Sequence, residues 1–178
     1  MQEANPYCKD LVFWYNSWMI DPLSHGFDPA LFWYLFPKIG LSLCLGTLIG
    51  FVREKQGKPA GIKTYALITV GVTLFTACSI LAGSGQVHGV DPTRIVAQVV
   101  SGIGFLGAGM IFKDQDRVTG LTSAAYVWFV AALGILIGLG GYLAGLVIGV
   151  GMVIFTSLSA RFEKWKFSEK VHGDSDAG

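Results

Sequence analysis

From Val118 to Ala160 the chain runs forty-three residues without a charged side chain. As one helix that run would reach about 65 Å, roughly twice the ~30 Å hydrocarbon layer of a bilayer. It therefore has to double back, and Gly140-Gly141 is the place within it where turn chemistry permits a reversal. Two membrane spans follow, over 120–139 and 142–160. Composition agrees: 52% of the 178 residues are hydrophobic and 14% charged, against roughly 25% charged in soluble domains. The sequence reads as an all-α integral membrane protein with almost nothing left for a soluble domain.

The earlier spans are bounded by charge. Leu31 to Val52 is the first, with Pro37-Lys38 near its start, where proline is tolerated and lysine can snorkel outward. The segment Arg53-Glu54-Lys55-Gln56-Gly57-Lys58-Pro59 ends it, and Lys63 closes the loop. Thr64 to Val90 is uncharged, and its first twenty or so residues form the second span before the turn-rich GSGQVHGVDP. The third lies between Arg94 and Lys113. Six of its eighteen uncharged residues are polar or glycine: Gln98, Ser101, Gly102, Gly104, Gly107 and Gly109.

Gly102, Gly104 and Gly107 spell GxGxxG, but a dinucleotide site needs a preceding strand, a following helix and an acid about twenty residues on. Inside an apolar run they read instead as small residues that let neighbouring helices approach. The same reading applies to Gly46 and Gly50 on the first span, to Gly134 and Gly138 on the fourth and to Gly141, Gly145 and Gly149 on the fifth. The last stripe predicts a homo-oligomer, with a two-fold dimer the simplest closed form.

Residues 1–30 are rich in aromatics (Tyr7, Phe13, Trp14, Tyr15, Trp18, Phe27) and broken by Pro22 and Pro29, which suits an interfacial segment at headgroup level. The expected division is 1–30 interfacial, 31–160 a five-span membrane domain, and 161–178 a polar tail fraying at its end. With the N-terminus outside and the C-terminus inside, ten of thirteen basic residues fall on the inner side, leaving only Lys9, Lys38 and Arg94 outside. No basic n-region or A-x-A site is present at the N-terminus, so no cleaved signal peptide is expected. A shift of 59 residues superimposes Gly50 on Gly109, Lys58 on Arg117, Gly61 on Gly120, Ala66 on Ala125 and Leu74 on Leu133. On that register spans one–two and three–four are parallel copies of one helical hairpin.

Chemistry has few seats. Asp91, Arg94, Gln98 and Ser101 share one face of the third span, since i, i+4 and i+7 stack on a helix. That face is either a polar gate or ligand site turned into the bundle, or a structural Asp91–Arg94 pair with a satisfied Gln98. The inner cluster of Arg53, Glu54, Lys63, Asp114, Asp116 and Arg117, with Lys55 and Lys113 beside it, offers three carboxylates to a hydrated Mg²⁺. Its basic residues would repel a dication, and solvated salt-bridging loops are the plainer reading. His88 beside Asp91 is a lone loop histidine. Cys8, Cys44 and Cys78 have no metal spacing. No catalytic constellation is visible, so no enzyme activity and no cofactor are expected, and the net charge of +1 implies no nucleic-acid partner.

The stretch DPTRIVAQVVSGIGFLGAGMIF, followed by VTGLTSAAYVWFVAALGILIGLGGY, resembles the core signature of the MgtC/SapB family of bacterial membrane proteins. GTLIGFVREKQGKPAGIKTYALITVG resembles that family's first inner loop. The match covers about Gly46 to Tyr142 and looks like the short form, without the soluble C-terminal domain of longer members. The resemblance implies about five spans with the N-terminus outside, a multi-pass position in the bacterial inner membrane and a role in magnesium homeostasis. It also implies a regulator acting through membrane contacts, with the F-type ATP synthase as one partner of some members, or alternatively a small transporter or channel for Mg²⁺ or another solute. The matching positions are Arg53, Glu54, Gly61, Thr64, Asp91, Arg94, Gln98, Ser101, Gly102, Gly104, Phe105, Gly107, Gly109, Gly120, Leu121 and Thr122. Val52, Lys63 and Tyr65 depart from the family's acid, arginine and histidine, which softens any inner cation site.

Overall fold

Within hydrocarbon a segment has to satisfy its own backbone donors and acceptors, so apolar runs of this length fold as helices. The computed structural model describes residues 29–84, 91, 93–114 and 117–175, without the side chains of 82–84, 114 and 162–175. Residues 1–28 of the expected interfacial segment, the loop around His88, and Asp116 lie outside the described residues. The elements are α1 (Pro29–Lys55), α2 (Ile62–Ser84), α3 (Thr93–Ala108), a hairpin of β1 (Phe112–Asp114) and β2 (Arg117–Thr119), α4 (Leu121–Gly138) and α5 (Tyr142–Ser175).

Among the described residues four helices carry spans long and apolar enough to cross a membrane: Pro29–Lys55, Ile62–Leu81, Leu121–Gly138 and Tyr142–Arg161. α3 is apolar but has 16 residues, about 24 Å of helix. The third span, expected to run on to Lys113, thus stops at Ala108. There the amides of Gly109, Met110 and Ile111 turn back onto Phe105, Gly107 and Ala108. The chain then pairs Phe112 with Thr119, Lys113 with Val118 and Asp114 with Arg117. Aromatic and β-branched residues at those places favour a short strand pair over another helical turn. Proline also sits differently from the expectation, since Pro37 lies inside α1 and offers no N–H to the Trp33 carbonyl. The tail is helical through Ser175, and the end expected to fray, residues 176–178, lies outside the described residues.

α2 packs against α1, α4 and α3, while α4 also touches α1 and α5, so these two helices form the centre. Leu45, Ile49, Tyr65, Val72, Ile103, Val127, Val130, Leu133 and Ile137 fill the core. Glycine sets the spacing of the central crossings. A Cβ on Gly46 would sit 2.9 Å from the Ala66 Cα, and one on Gly134 would sit 2.7 Å from the Thr69 carbonyl oxygen. Backbones this close leave no room for a side chain. The reversal between α4 and α5 falls at Gly140, whose φ of 91° suits glycine far better than other residues. α2 and α4 begin at Ile62 and Leu121, positions that the 59-residue shift superimposes, although a turn precedes one and a hairpin the other.

Candidate functional site

α1 and α4 both pack on α2 and touch each other only lightly, and a buried cation links them at each end of that contact. At one end Lys38 is only 2% exposed. Its ammonium donates to the Gly138 carbonyl at 2.7 Å and to the Tyr34 hydroxyl at 2.8 Å, and lies 3.9 Å from the Tyr34 ring centre. The expectation that Lys38 snorkels outward is therefore corrected. The last carbonyls of a helix lack intrahelical donors and carry its partial negative charge, so the end of α4 offers the lysine a better partner inside than out.

At the other end Arg53 is 3% exposed. One of its terminal nitrogens donates to Ser123 Oγ at 3.0 Å and the other to Gln56 Oε1 at 3.3 Å, while its guanidinium lies 4.2 Å from the Tyr126 ring centre. Gln56 donates onward to the Thr156 carbonyl at 3.2 Å, and the hydroxyls of Tyr126 and Thr156 share a 2.7 Å bond. One guanidinium thus ties α1, α4 and α5 together. Arg53 Nε and the Tyr65 hydroxyl have no hydrogen-bond partner among the described residues.

Between the cations runs a column of buried hydroxyls: Ser42, Thr69, Thr73, Thr76 and Ser79. Thr69, Thr73 and Thr76 donate to the carbonyls of Tyr65, Thr69 and Val72, four residues back, and Thr73 also reaches Gly134. Hydroxyls spent this way pack against their own helix rather than present free donors.

The inner cluster divides on folding. Arg53 turns inward and Glu54 accepts from the Ile62 amide at 3.0 Å, closing the start of α2. Lys63, Lys113 and Arg117 are exposed, and Asp114 pairs with Arg117 across the β1–β2 hairpin. Among the described residues no three of His, Cys, Asp or Glu gather where they could hold a metal ion.

On α3 only Val96, Val99, Ile103 and Gly107 are even partly buried. At about 100° per residue they form one stripe, and Arg94, Gln98, Ser101 and Phe105 form another on the opposite side of the helix. The polar face expected to turn into the bundle thus points straight away from it, and Phe105 is 81% exposed. A Cβ on Gly102 or Gly104 would meet nothing within 4 Å, and one on Gly107 would lie 3.8 Å from the Ala124 Cβ. One on Gly109 would meet only the carbonyls of Leu106 and Phe105. On α5, by contrast, Gly141 faces Leu136, Gly145 faces Ile137 and Gly149 faces Leu45, so the stripe used above to predict an oligomer is spent inside the chain. Just ahead of α3, Asp91 Oδ1 accepts from the Thr93 hydroxyl at 2.7 Å and the Thr93 amide at 2.8 Å. Those bonds hold the Asp91 carboxyl below its usual range.

Sequence reasoning missed Lys38, Tyr34, Ser123, Tyr126 and Thr156. The available signal was a cation flanked by apolar residues on a span, as at Lys38, which in hydrocarbon demands a partner.

Residues 39–165 match the MgtC family. The chain belongs to that family. An uncharacterized protein of Haemophilus influenzae is 41% identical over 74% of this chain and 58% of its own length. Protein SapB of Bacillus subtilis is 36% identical over 76% of this chain and 60% of its own. The putative magnesium transporter YhiD of Escherichia coli is 43% identical over 55% of this chain and 47% of its own. This MgtC-family chain thus spans about three-fifths or less of these relatives. No solved structure matches it. Four membrane-length helices and the family together make it a multi-pass membrane protein.

Proposed function

We propose that this chain is an inner-membrane regulator in magnesium adaptation that works by helix-to-helix contact through the outward face of α3. The observation that carries the reading is the direction of that face. A polar side chain facing lipid at membrane depth is costly, yet α3 turns Val96, Val99 and Ile103 inward and Gln98 and Ser101 outward. A helix with that arrangement is built to be covered. The link to magnesium rests on relatives called MgtC and putative magnesium transporter.

The hydroxyl column between α1, α2 and α4 favours a second reading, a small transporter. Lys38 and Arg53 stand at its two ends, and both would repel a dication approaching along it.

The test pairs growth with flux. Gln98→Leu with Ser101→Leu should leave insertion and abundance intact and abolish complementation of a low-Mg²⁺ growth defect. Proteoliposomes of the parent, loaded with a Mg²⁺-sensitive dye, should show no flux above empty vesicles. Flux that scales with protein and vanishes on Lys38→Ala would replace the regulator with the transporter.

A further inference from the structure

The outward face of α3 has a composition that says what covers it. Arg94, Gln98, Ser101 and Phe105 lie on the side of α3 opposite the buried stripe, Asp91 sits two residues ahead of the helix, and all five are exposed. Asp91 spends Oδ1 on Thr93, while Oδ2 makes no bond among the described residues. The Arg94 side chain likewise has no hydrogen bond to another described residue, although its charge is felt by Asp91. One face therefore carries an available carboxylate and an available guanidinium three residues apart, with an amide one turn further in.

We propose that the cover is a second copy of this chain, packed α3 against α3 about a two-fold axis along the membrane normal; this rests on reading the face as a contact face. Such an axis brings like residues to the same depth. Two Arg94 side chains alone would repel, but the partner's Asp91 lies only about 4.5 Å away along the helix axis. Each guanidinium reaches the other chain's carboxylate, and the pair forms twice. Gln98 fits the same axis, because an amide is donor and acceptor at once and can pair with its own copy. Such hydrogen bonds between membrane helices favour association. Ala97, Ser101 and Gly102 flank the seam with little bulk, and Gly102 has open space where a Cβ would stand, so the backbones can approach. A different partner would need a matched set of these groups, which a second copy has by symmetry.

The experiment uses the full chain with Cys8, Cys44 and Cys78 replaced by Ser. In native membranes Ser101→Cys should give a dimer-sized band on copper-phenanthroline oxidation. Leu67→Cys, on the exposed side of α2, should give none. Energy transfer between labelled chains in liposomes then reads the ion pair. Asp91→Asn, which keeps a side-chain oxygen for Thr93, and Arg94→Gln should each weaken self-association by about tenfold, the loss of two exposed pairs. Mixing the Asp91→Asn chain with the Arg94→Gln chain restores one pair across the interface, so the mixed dimer should be only about threefold weaker than the parent. A mixed dimer no tighter than either variant alone would mean that the charges pair within a chain, and would overturn the proposal. So would a Ser101→Cys disulfide formed only with a different protein, an outcome that leaves the contact face standing and removes only the second copy. If Ser101→Cys finds no partner and Gln98→Leu with Ser101→Leu still complements, the contact face falls as well.

Discussion

Lys38 and Arg53 are both buried cations of α1, and they are held by different chemistry. Lys38 delivers a point charge to the end of α4, while Arg53 uses the two prongs of its fork on Ser123 and Gln56 and its flat face on Tyr126. Arg53→Lys cannot serve all three, and should cost about 2 kcal/mol, read as a lower unfolding midpoint in mild detergent. Lys38→Met removes a buried charge and keeps the volume, so it should cost less than about 1 kcal/mol. Lys38→Ala also opens a cavity and should cost about 2–4 kcal/mol. Equal losses for Met and Ala would show that the ammonium, not the volume, matters. Asp91 adds a pH dependence of defined sign. Its folded carboxyl titrates below the usual range because Thr93 donates to it twice. Its stabilising effect on the start of α3 is therefore complete above the usual carboxylate range and is lost as pH falls through the lowered value. Hydrogen exchange at the Thr93 amide, corrected for intrinsic rate, should stay flat between pH 7 and 5; a rise in that window would contradict the cap.

Helices in this chain meet through glycine in some places and leave glycine idle in others, and substitution to alanine separates the two. Gly134→Ala drives a Cβ to within 2.7 Å of the Thr69 carbonyl oxygen and 3.0 Å of the Val72 Cβ, so α2 and α4 have to part at a cost of about 1–3 kcal/mol. Gly104→Ala meets nothing within 4 Å in the same chain and gains up to about 1 kcal/mol of helix propensity. The monomer fold should therefore tolerate Gly104→Ala and not Gly134→Ala, as thermal unfolding of the two variants will show. The contrast also marks where the sequence stops being informative. The ends of α1, α2, α4 and α5's apolar run are written in local chemistry: Arg53 to Pro59, Lys63, and the Gly140-Gly141 reversal. Spacing likewise shows that Arg94, Gln98 and Ser101 share a face. It does not show which way the face turns, because a helical period fixes relative angles and leaves the rotation to packing. The same limit hid the partners of Lys38 and Arg53, since Gly138 and Ser123 lie 100 and 70 residues away. β1 and β2 were missed because Lys113 to Arg117 was read only as the charged stretch that ends the third span, although Phe112, Val118 and Thr119 have strand-forming side chains.

Across the whole molecule, the number of crossings turns on α3. At 16 residues it reaches about 24 Å against a layer of roughly 30 Å, so it either crosses where the bilayer thins or dips in and returns. With the N-terminus outside in both, charge separates the two arrangements. If α3 crosses, both termini flank five spans on opposite sides, and Arg53, Lys55, Lys58, Lys63, Lys113, Arg117 and the four basic residues of the tail share one face. If it returns, Lys113, Arg117 and the tail change sides, and only Arg53, Lys55, Lys58 and Lys63 remain inward of the thirteen. Basic residues near spans gather on the cytoplasmic side, so the crossing arrangement is the one expected. The hairpin supports it, because β1 and β2 bring exposed Phe112 and Val118 together with Lys113 and Arg117 at the end of α3. Apolar side chains beside basic ones suit the headgroup zone, where they can make up the missing length. In the cysteine-free chain, Thr93→Cys should react with a membrane-impermeant maleimide added outside intact spheroplasts. Val118→Cys should stay protected until the membrane is opened. Labelling of both from outside would make α3 re-entrant, give the protein four crossings, and place α3's polar face on a loop rather than a span.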